Sequence, residues 1–193
     1  MRILDTLTLE EKKVLTKFSY KKGEIIFIEG DFCNAVGIVN KGKIEIKTTS
    51  FSGEEILYNS IKQYQMFGNN LIFSDNPFYK GDVYAEEDSE IYFIFKKELL
   101  LILKNNPSFL INFLNEQSNF AKELNSRIKL LSFNLAEDRI LFFLKENNGK
   151  CVYKSISALS LLLNLKRETV SRTISKLIKK GLITKDKNTI FLK

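Results

Sequence analysis

The sequence contains no histidine and only two cysteines. Zinc sites, histidine-ligated haem and four-cysteine iron-sulfur clusters need those ligands, so their absence excludes such centres and we expect no bound metal. Cys33 and Cys151 lie far apart in the sequence, which argues against a disulfide framework or a paired-cysteine metal motif. The simplest expectation is that each cysteine is a small buried hydrophobic residue. A redox role for an exposed Cys33 is the alternative.

Long apolar segments and catalytic motifs are also missing. No run of about 18 apolar residues is present to span a bilayer, and the start MRILDTLTLEEKKVL lacks the charged and apolar regions of a secretory signal. The sequence has no GxxxxGK phosphate loop, no GxSxG motif and no evident pair of catalytic carboxylates. The acidic residues Asp31, Glu86, Glu87 and Asp88 fall at predicted strand ends or in loops. We therefore expect a cytoplasmic protein that is not an enzyme.

The net positive charge of the chain comes entirely from its last 60 residues. Residues 134–193 contain 13 lysines and arginines against 5 aspartates and glutamates, a net charge of +8. Residues 1–133 contain 17 against 18, a net charge of −1, and this contrast favours two domains. A basic domain is the electrostatic footprint expected for binding to DNA. A membrane surface is the weaker alternative, because no helix places exposed aromatic residues opposite the lysines.

The first hundred residues are rich in short β-forming segments. The segments are IIFIEG, AVGIVNKG, KIEIKTT, EEILYNSI, DVYAEE and IYFIF, each bounded by Gly, Asn or Asp. Their regular spacing predicts a small antiparallel barrel or sandwich. Ahead of them, Thr8 and Glu11 predict a capping box for a short helix in LTLEEKKVLTKF.

Residues 161–183, LLLNLKRETVSRTISKLIKKGLI, predict a helix-turn-helix followed by a winged hairpin. Asn164 lies where the turn needs a residue that tolerates a left-handed backbone. Lys180 and Gly181 end the second helix, and two short strands follow around the turn at 186–188.

The second helix has a polar face with the chemistry for reading DNA. Helical spacing places Val170, Ile174 and Leu177 on one side of this helix. Four polar residues lie on the opposite arc: Arg167, Glu168, Ser171 and Arg172. Arginine donates to the two acceptors of guanine, and glutamate accepts from cytosine. Lysines flank this face and could neutralise phosphates: Lys166, Lys176, Lys179, Lys180, Lys185 and Lys187. A solvated helix face with fortuitous charges is the alternative.

A long helix is predicted after Pro107. Its residues recur at alternating spacings of three and four, which is typical of a coiled-coil seam: Leu114, Gln117, Ala121, Leu124, Ile128 and Leu131. A helix-turn-helix protein commonly needs a two-fold partner to reach two half-sites, so we expect a symmetric homodimer. Packing of the stripe on the protein's own sheet domain is the alternative. The predicted domains are thus 1–106, 107–133 and 134–193.

These motifs together resemble the CRP/FNR family of bacterial transcription factors over nearly the whole chain. The residues that carry the resemblance are KKGEIIFIEGD, NKGKIEI, MFG at 66–68, AEDRILFFL and RETVSR. The resemblance implies an α+β protein with a cyclic-nucleotide-binding-like β-roll (a jelly-roll barrel), a long dimerisation helix and a C-terminal winged helix-turn-helix. It also implies that Arg167, Glu168, Ser171 and Arg172 contact bases of a palindrome with TGTGA-like or TTGAT-like arms. Thr169 belongs to the same DNA-binding set, and RNA polymerase is a further possible partner.

The chain departs from the family pattern at several positions. Asn164 stands where the family often has Gly, and Lys166 replaces the Ser or Thr that caps the reading helix, so the cap is lost. In the region expected to hold the effector, Asn69 follows Phe67 and Gly68 in place of the family's Glu.

The predicted effector cassette also lacks the family's arginine for a cyclic phosphate. Its segment reads Tyr79-Lys80-Gly81-Asp82, and Leu124 and Asn125 stand where the family has a polar pair for the purine. Loss of a bidentate arginine removes charge-assisted hydrogen bonds to phosphate. We therefore expect poor affinity for cyclic AMP and either an unknown small-molecule effector or none. Two other functions are left open: a sensor or binding module that acts through protein partners, and sequence-independent DNA binding.

Overall fold

A computed structural model of the protein describes residues 2–53 and 55–193. The chain folds as two compact units, Met1–Ser118 and Asn119–Lys193. The boundary lies inside the helix predicted at 107–133, so this helix contributes residues to both units.

The first unit is built from two four-stranded antiparallel sheets. Its strands are β1 (Thr16–Tyr20), β2 (Ile25–Phe27), β3 (Ala35–Lys41), β4 (Lys43–Thr49), β5 (Glu55–Lys62), β6 (Met66–Phe67), β7 (Asp82–Ala85) and β8 (Ser89–Phe95). The strand orders are β1-β8-β3-β6 and β2-β7-β4-β5, the two-sheet arrangement of a roll. Both sheets are open at their edges, so the predicted barrel is a roll of two sheets and is not closed.

The predicted N-terminal helix is shorter than the sequence pattern implies. The capping box is confirmed, because Thr8 Oγ1 accepts from the Glu11 N–H at 3.2 Å and Glu11 Oε2 accepts from the Thr8 N–H at 2.8 Å. Helix α1 (Leu9–Lys12) nevertheless ends after one turn. The residues that follow form β1 and pair with β8, because Thr, Phe and Tyr in alternation favour a pleated strand over a helix.

The core of the first unit lies between the two sheets. Ile38 of β3, Ile44 of β4 and Ile91 of β8 are fully buried, and each contributes roughly 1.5–3 kcal/mol by leaving water. These residues alternate with more exposed neighbours along β4 and β8, as the period-two pattern of a strand requires.

Two helices follow the roll: α2 (Lys96–Asn105) and α3 (Pro107–Ser132). The predicted start of the long helix at Pro107 is confirmed. Asn106 organises this start, because its Oδ1 accepts from the Phe109 N–H at 2.9 Å while its Nδ2 donates to Thr6 O at 2.9 Å and Glu11 Oε2 at 2.8 Å. The side chain thus satisfies a free N–H at the helix end and ties α3 to the N-terminal segment.

The second unit contains a helix-turn-helix and a wing. After the end of α3 come α4 (Ala136–Glu146), β9 (Lys150–Val152), α5 (Ile156–Leu163), α6 (Arg167–Lys179), β10 (Ile183–Asp186) and β11 (Thr189–Leu192). The predicted wing is confirmed, with Asp186 inside β10 instead of in the turn. The sequence pattern does not predict β9, which pairs with β11 and completes a three-stranded sheet. No helix within the described residues combines the length and apolar character needed to cross a bilayer.

Candidate nucleic-acid interface

The turn before α6 depends on one residue with left-handed backbone geometry. Asn164 has φ 50° and ψ 52°, which confirms the conformation predicted for it. Asparagine tolerates this region better than most residues, so it can replace the glycine of the family pattern. At the other end of α5, Ser155 Oγ accepts from the Ala158 N–H at 3.1 Å and caps the helix.

Helix α6 buries one face and exposes the other, as its sequence predicts. Val170, Ile174 and Leu177 are buried in the core of the second unit. The side chains of Arg167, Glu168, Ser171 and Arg172 are exposed on the opposite side, and Thr169 is half-buried between the two faces. The core contacts of α6 therefore hold its polar face in a defined orientation toward solvent.

The charged groups on the exposed face are free of partners. In the part of the chain that the structure describes, Arg167, Glu168 and Arg172 make no ion pair and no side-chain hydrogen bond. Together with Lys166, Ser171 and Ser175 they line a surface depression of about 710 Å³. Ser175 was not predicted, although its helical spacing from Ser171 could have identified it. The depression presents donors and acceptors to any partner that approaches this face.

The N-terminus of α6 lacks a side-chain cap. Lys166 is the N-cap residue and its side chain makes no capping hydrogen bond, as its replacement of Ser or Thr leads us to expect. Glu168 in the first turn supplies a negative charge near the positive end of the helix dipole. Lys166 itself is exposed.

Two lysines predicted to contact phosphate form ion pairs within the protein. Lys176 Nζ lies 2.5 Å from Glu137 Oε1, and Lys180 Nζ lies 2.6 Å from Glu137 Oε2. Hydrogen bonds from these two ammonium groups hold the pKa of Glu137 below its ordinary value. Because Lys176 is 60% exposed, solvent screens the pair, and the role of Lys176 toward DNA stays a prediction. Lys187 lies at the tip of the β10–β11 hairpin with φ 47° and is exposed.

The predicted effector cassette contains a tightly packed backbone turn. Gly68 has φ 75°, and a Cβ placed there would meet Ala35 O at 3.0 Å and Cys33 Sγ at 3.1 Å. Phe67 packs directly on Gly37, where a Cβ would overlap its ring. Glycine suits position 68, because a side chain there would be strained by the left-handed backbone and crowded by its neighbours.

Tyr79 of the cassette is part of an aromatic core. Its ring stacks on Phe27 with centroids 4.5 Å apart, and its hydroxyl lies 3.7 Å from Cys33 Sγ. Burial raises the pKa of Tyr79 above its usual range. Cys33 is 1% exposed, so the expectation that it is buried is confirmed, and burial raises the pKa of its thiol.

The polar groups of the cassette are satisfied within the first unit. Asn69 Nδ2 donates to Gln117 Oε1 at 2.9 Å, and Gln117 Nε2 donates to the Asn69 carbonyl at 2.6 Å. Asp82 accepts from the Glu29 N–H at 2.7 Å and from the Tyr84 hydroxyl at 3.1 Å. Lys80 is exposed. Leu124 and Asn125 belong to the second unit, so their part in the pocket stays a prediction.

Helix α3 carries an exposed apolar stripe along the predicted seam. Ala121 is exposed, and the large apolar residues of the seam are between 41% and 58% exposed: Leu114, Leu124, Ile128 and Leu131. Gln117 differs, because its amide binds Asn69 of the same protomer. Exposed leucine and isoleucine side chains in a row are unusual on a monomer surface. The stripe is thus available to a partner, and the seam stays a prediction.

Comparison with known proteins finds similar transcription regulators and one matching domain family. Residues 17–106 match the family described as the cyclic nucleotide-binding domain. The chain is 25% identical over 175 residues to the cyclic AMP receptor protein of Thermus thermophilus. This alignment covers 89% of this chain and 81% of that protein. The chain is also 23% identical over 191 residues to the anaerobic regulatory protein of Bacillus subtilis. This second alignment covers 92% of this chain and 79% of that protein.

The fold is also that of a solved relative. The crystal structure of the Thermus thermophilus catabolite activator protein superposes with a TM-score of 0.59 at 24% identity, covering 100% of this chain and 94% of that chain. The match extends over the roll, the long helix and the C-terminal helical region. The chain is therefore similar to regulators of the CRP and FNR type, and its residues 17–106 match the cyclic nucleotide-binding domain.

Proposed function

We propose that this protein is a sequence-specific DNA-binding transcription regulator that binds a palindromic operator as a homodimer. The observation that carries the proposal is the polar face of α6, on which Arg167, Glu168 and Arg172 are exposed and unpaired while the opposite face is buried. An α-helix fits the major groove, where arginine pairs with guanine and glutamate accepts from cytosine. A solvated face with no ligand would not need this set of forked donors and acceptors.

The charges around α6 support attraction to DNA that is independent of sequence. Lys166 at the helix start and Lys187 at the wing tip are exposed, and both belong to the basic segment 134–193. Contacts of this kind to phosphates give affinity and register but no discrimination between bases. The polar residues of α6 therefore discriminate between base pairs, and the flanking lysines add affinity that does not depend on sequence.

The stripe on α3 supports the dimer. Leucine and isoleucine recur on α3 at alternating spacings of three and four residues. Two such helices bury these side chains when they pack against each other. A two-fold dimer presents two reading helices to two half-sites about one turn of DNA apart. The cytoplasm is the proposed location, and RNA polymerase is a further partner that a regulator of this kind meets at a promoter.

Cyclic AMP is not the proposed effector, although one relative is named a cyclic AMP receptor protein. The cassette has no arginine between 67 and 85, and the Asn69 amide is already bound to Gln117. A cyclic phosphate in this place would lose the charge-assisted hydrogen bonds that a bidentate arginine supplies. The roll responds to a different small molecule or to none.

The test is a fluorescence-anisotropy titration of the full chain at one fixed salt concentration. Palindromic duplexes with TGTGA and TTGAT arms are compared with a scrambled duplex, each with and without cyclic AMP. We expect a preference for one palindrome that cyclic AMP does not change. A preference that requires cyclic AMP contradicts the interpretation of the cassette. If neither palindrome is preferred, selection from random DNA decides between an unrelated operator and sequence-independent binding.

The dimer is tested separately by sedimentation. Leu124→Glu places a charge in the middle of the stripe and should convert the dimer to a monomer at concentrations where the wild type is dimeric. Lys122→Glu changes an exposed residue outside the predicted seam of the same helix and is the control. A wild type that sediments as a monomer at high concentration contradicts the proposed dimer.

A further inference from the structure

The guanidinium of Arg139 in α4 contacts an unusual set of partners. Nε donates to Phe133 O at 2.8 Å, and one terminal nitrogen donates to Leu131 O at 3.2 Å. The other terminal nitrogen donates to Asn164 O at 3.0 Å and lies 3.5 Å from Leu163 O. All of these acceptors are backbone carbonyls. Among the described residues no carboxylate pairs with Arg139, so its charge is balanced by the peptide chain alone.

The four carbonyls come from two different places in the second unit. Leu131 and Phe133 lie at the C-terminal end of α3, whereas Leu163 and Asn164 form the C-terminal end of α5 and the turn before α6. The last carbonyls of a helix have no partner within it and carry the negative end of its dipole. One cation therefore joins the ends of two helices. The fork of arginine reaches both at once, which a lysine ammonium does not.

The end of α3 is also held on α4 by contacts that do not involve Arg139. Phe133 packs on Phe142 with centroids 5.2 Å apart, and Ser126 Oγ donates to Glu146 Oε2 at 2.8 Å. Leu130 is buried in the same core. The ring contact and the hydrogen bond attach α3 to α4, while Leu130 shares the core with Leu163 at the end of α5. Loss of the guanidinium should therefore leave the unit folded while it removes the hydrogen bonds that join the end of α3 to the turn before α6.

We propose that Arg139 is a positioning residue that sets the direction of α3 relative to the reading helix α6, and with it the half-site spacing that the dimer binds. The inference rests on the proposed function, because it assumes that α3 pairs two copies of the chain. In such a dimer the separation of the two reading helices depends on the angle at which each α3 joins its DNA-binding unit. A change in that angle alters spacing without changing any side chain that touches a base.

The first experiment measures spacing preference with the full-length protein. Arg139→Gln and Arg139→Lys are compared with Lys145→Gln, which removes one charge from an exposed position on the same helix. Each protein is titrated with the preferred palindrome, with versions whose half-sites are moved apart or together by one or two base pairs, and with a single half-site.

We expect Arg139→Gln to lose affinity for the preferred palindrome by on the order of tenfold, the size of a typical coupling between two sites. Its affinity for the single half-site should fall no more than that of Lys145→Gln, and its dependence on spacing should flatten. Arg139→Lys should not restore the wild-type profile, because it lacks the fork. If Arg139→Gln keeps the wild-type spacing profile, or loses the half-site and the palindrome equally, the inference is wrong.

A second measurement does not need an operator. A spin label at Asn188→Cys reports the distance between the two wing tips of the dimer, since Cys33 and Cys151 are buried and should not be labelled. We expect one narrow distance in the wild type and a broad distribution with Arg139→Lys, which keeps the charge and the aliphatic stem. Equal distributions overturn the inference even if Arg139→Gln does not fold. A wild type with no dimer distance and no palindrome preference refutes the proposed function instead.

Discussion

Asn69 of the cassette and Gln117 of α3 are joined by two hydrogen bonds, of 2.9 Å between their side chains and 2.6 Å from the Gln117 amide to the Asn69 carbonyl. Asn69 is 8% exposed, so water cannot readily replace Gln117 as its partner. The pair connects a loop between two strands of the roll to a helix 48 positions further along the chain. In this protein the cassette is thus bound to α3 through the protein's own side chains.

Replacement of Gln117 by Leu should destabilise the first unit by roughly 1–3 kcal/mol, because it leaves a buried amide and a buried carbonyl without partners. The measurement is the free energy of unfolding in urea. Glu116→Leu introduces the same side chain at an exposed neighbouring position and is the control. A loss no larger than that of the control would show that the two hydrogen bonds contribute nothing net to stability.

Arg172 and Lys187 should affect DNA binding in different ways. Arg172→Ala should cost about 1–3 kcal/mol on the preferred palindrome and relax the requirement at one base pair, because arginine reads a base edge. Lys187→Ala should weaken palindromic and random DNA alike and reduce the salt slope by about 1. Titrations of both duplexes over a range of salt concentrations separate the two effects. Equal losses on both duplexes in both variants would contradict the assignment of base and phosphate contacts.

The ion pairs of Glu137 should make one part of the stability depend on pH. Since the two lysines lower the pKa of Glu137 in the folded protein, their contribution is present above its ordinary value of 4.5 and is lost as the pH falls through the lowered pKa. Glu137→Gln should therefore lower Tm at neutral pH. The difference in Tm between the two proteins should close in strong acid. A difference that is the same at both pH values would mean that these ion pairs are not its cause.

Both cysteines should resist thiol reagents in the folded protein. Burial raises the pKa of the Cys33 thiol and of the Cys151 thiol, so little thiolate forms and the sulfur atoms are shielded. Titration with a chromogenic disulfide reagent should give reaction only after unfolding, while Asn188→Cys at the exposed wing tip should react at once. Rapid reaction of the native wild type would restore the redox hypothesis for Cys33.

Tyr153 has a buried hydroxyl for which the described residues provide no hydrogen-bond partner. Replacement by Phe removes a desolvated polar group and keeps the ring, so the free energy of unfolding should stay unchanged or rise by up to about 1 kcal/mol. Urea denaturation of Tyr153→Phe beside the wild type measures the difference. A clear loss of stability in the variant would show that the hydroxyl is engaged after all.

The polar face of α6 could be predicted from the sequence because helical periodicity is a local property. Positions three and four residues apart share a face whatever the rest of the fold does, so the burial of Val170 and the exposure of Arg172 follow from spacing alone. The same holds for the left-handed turn at Asn164 and the capping box at Thr8, which depend on neighbours within a few residues.

Contacts between distant parts of the chain could not be predicted in this way. Nothing near Arg139 indicates that four carbonyls from two helix ends surround it, and nothing near Lys176 indicates that it pairs with Glu137. Residue types and spacing determined that this chain has a roll, a long helix and an exposed polar face on α6. The tertiary structure alone decided which polar groups pair with distant parts of the chain, because that pairing depends on which backbone ends and side chains the fold brings together.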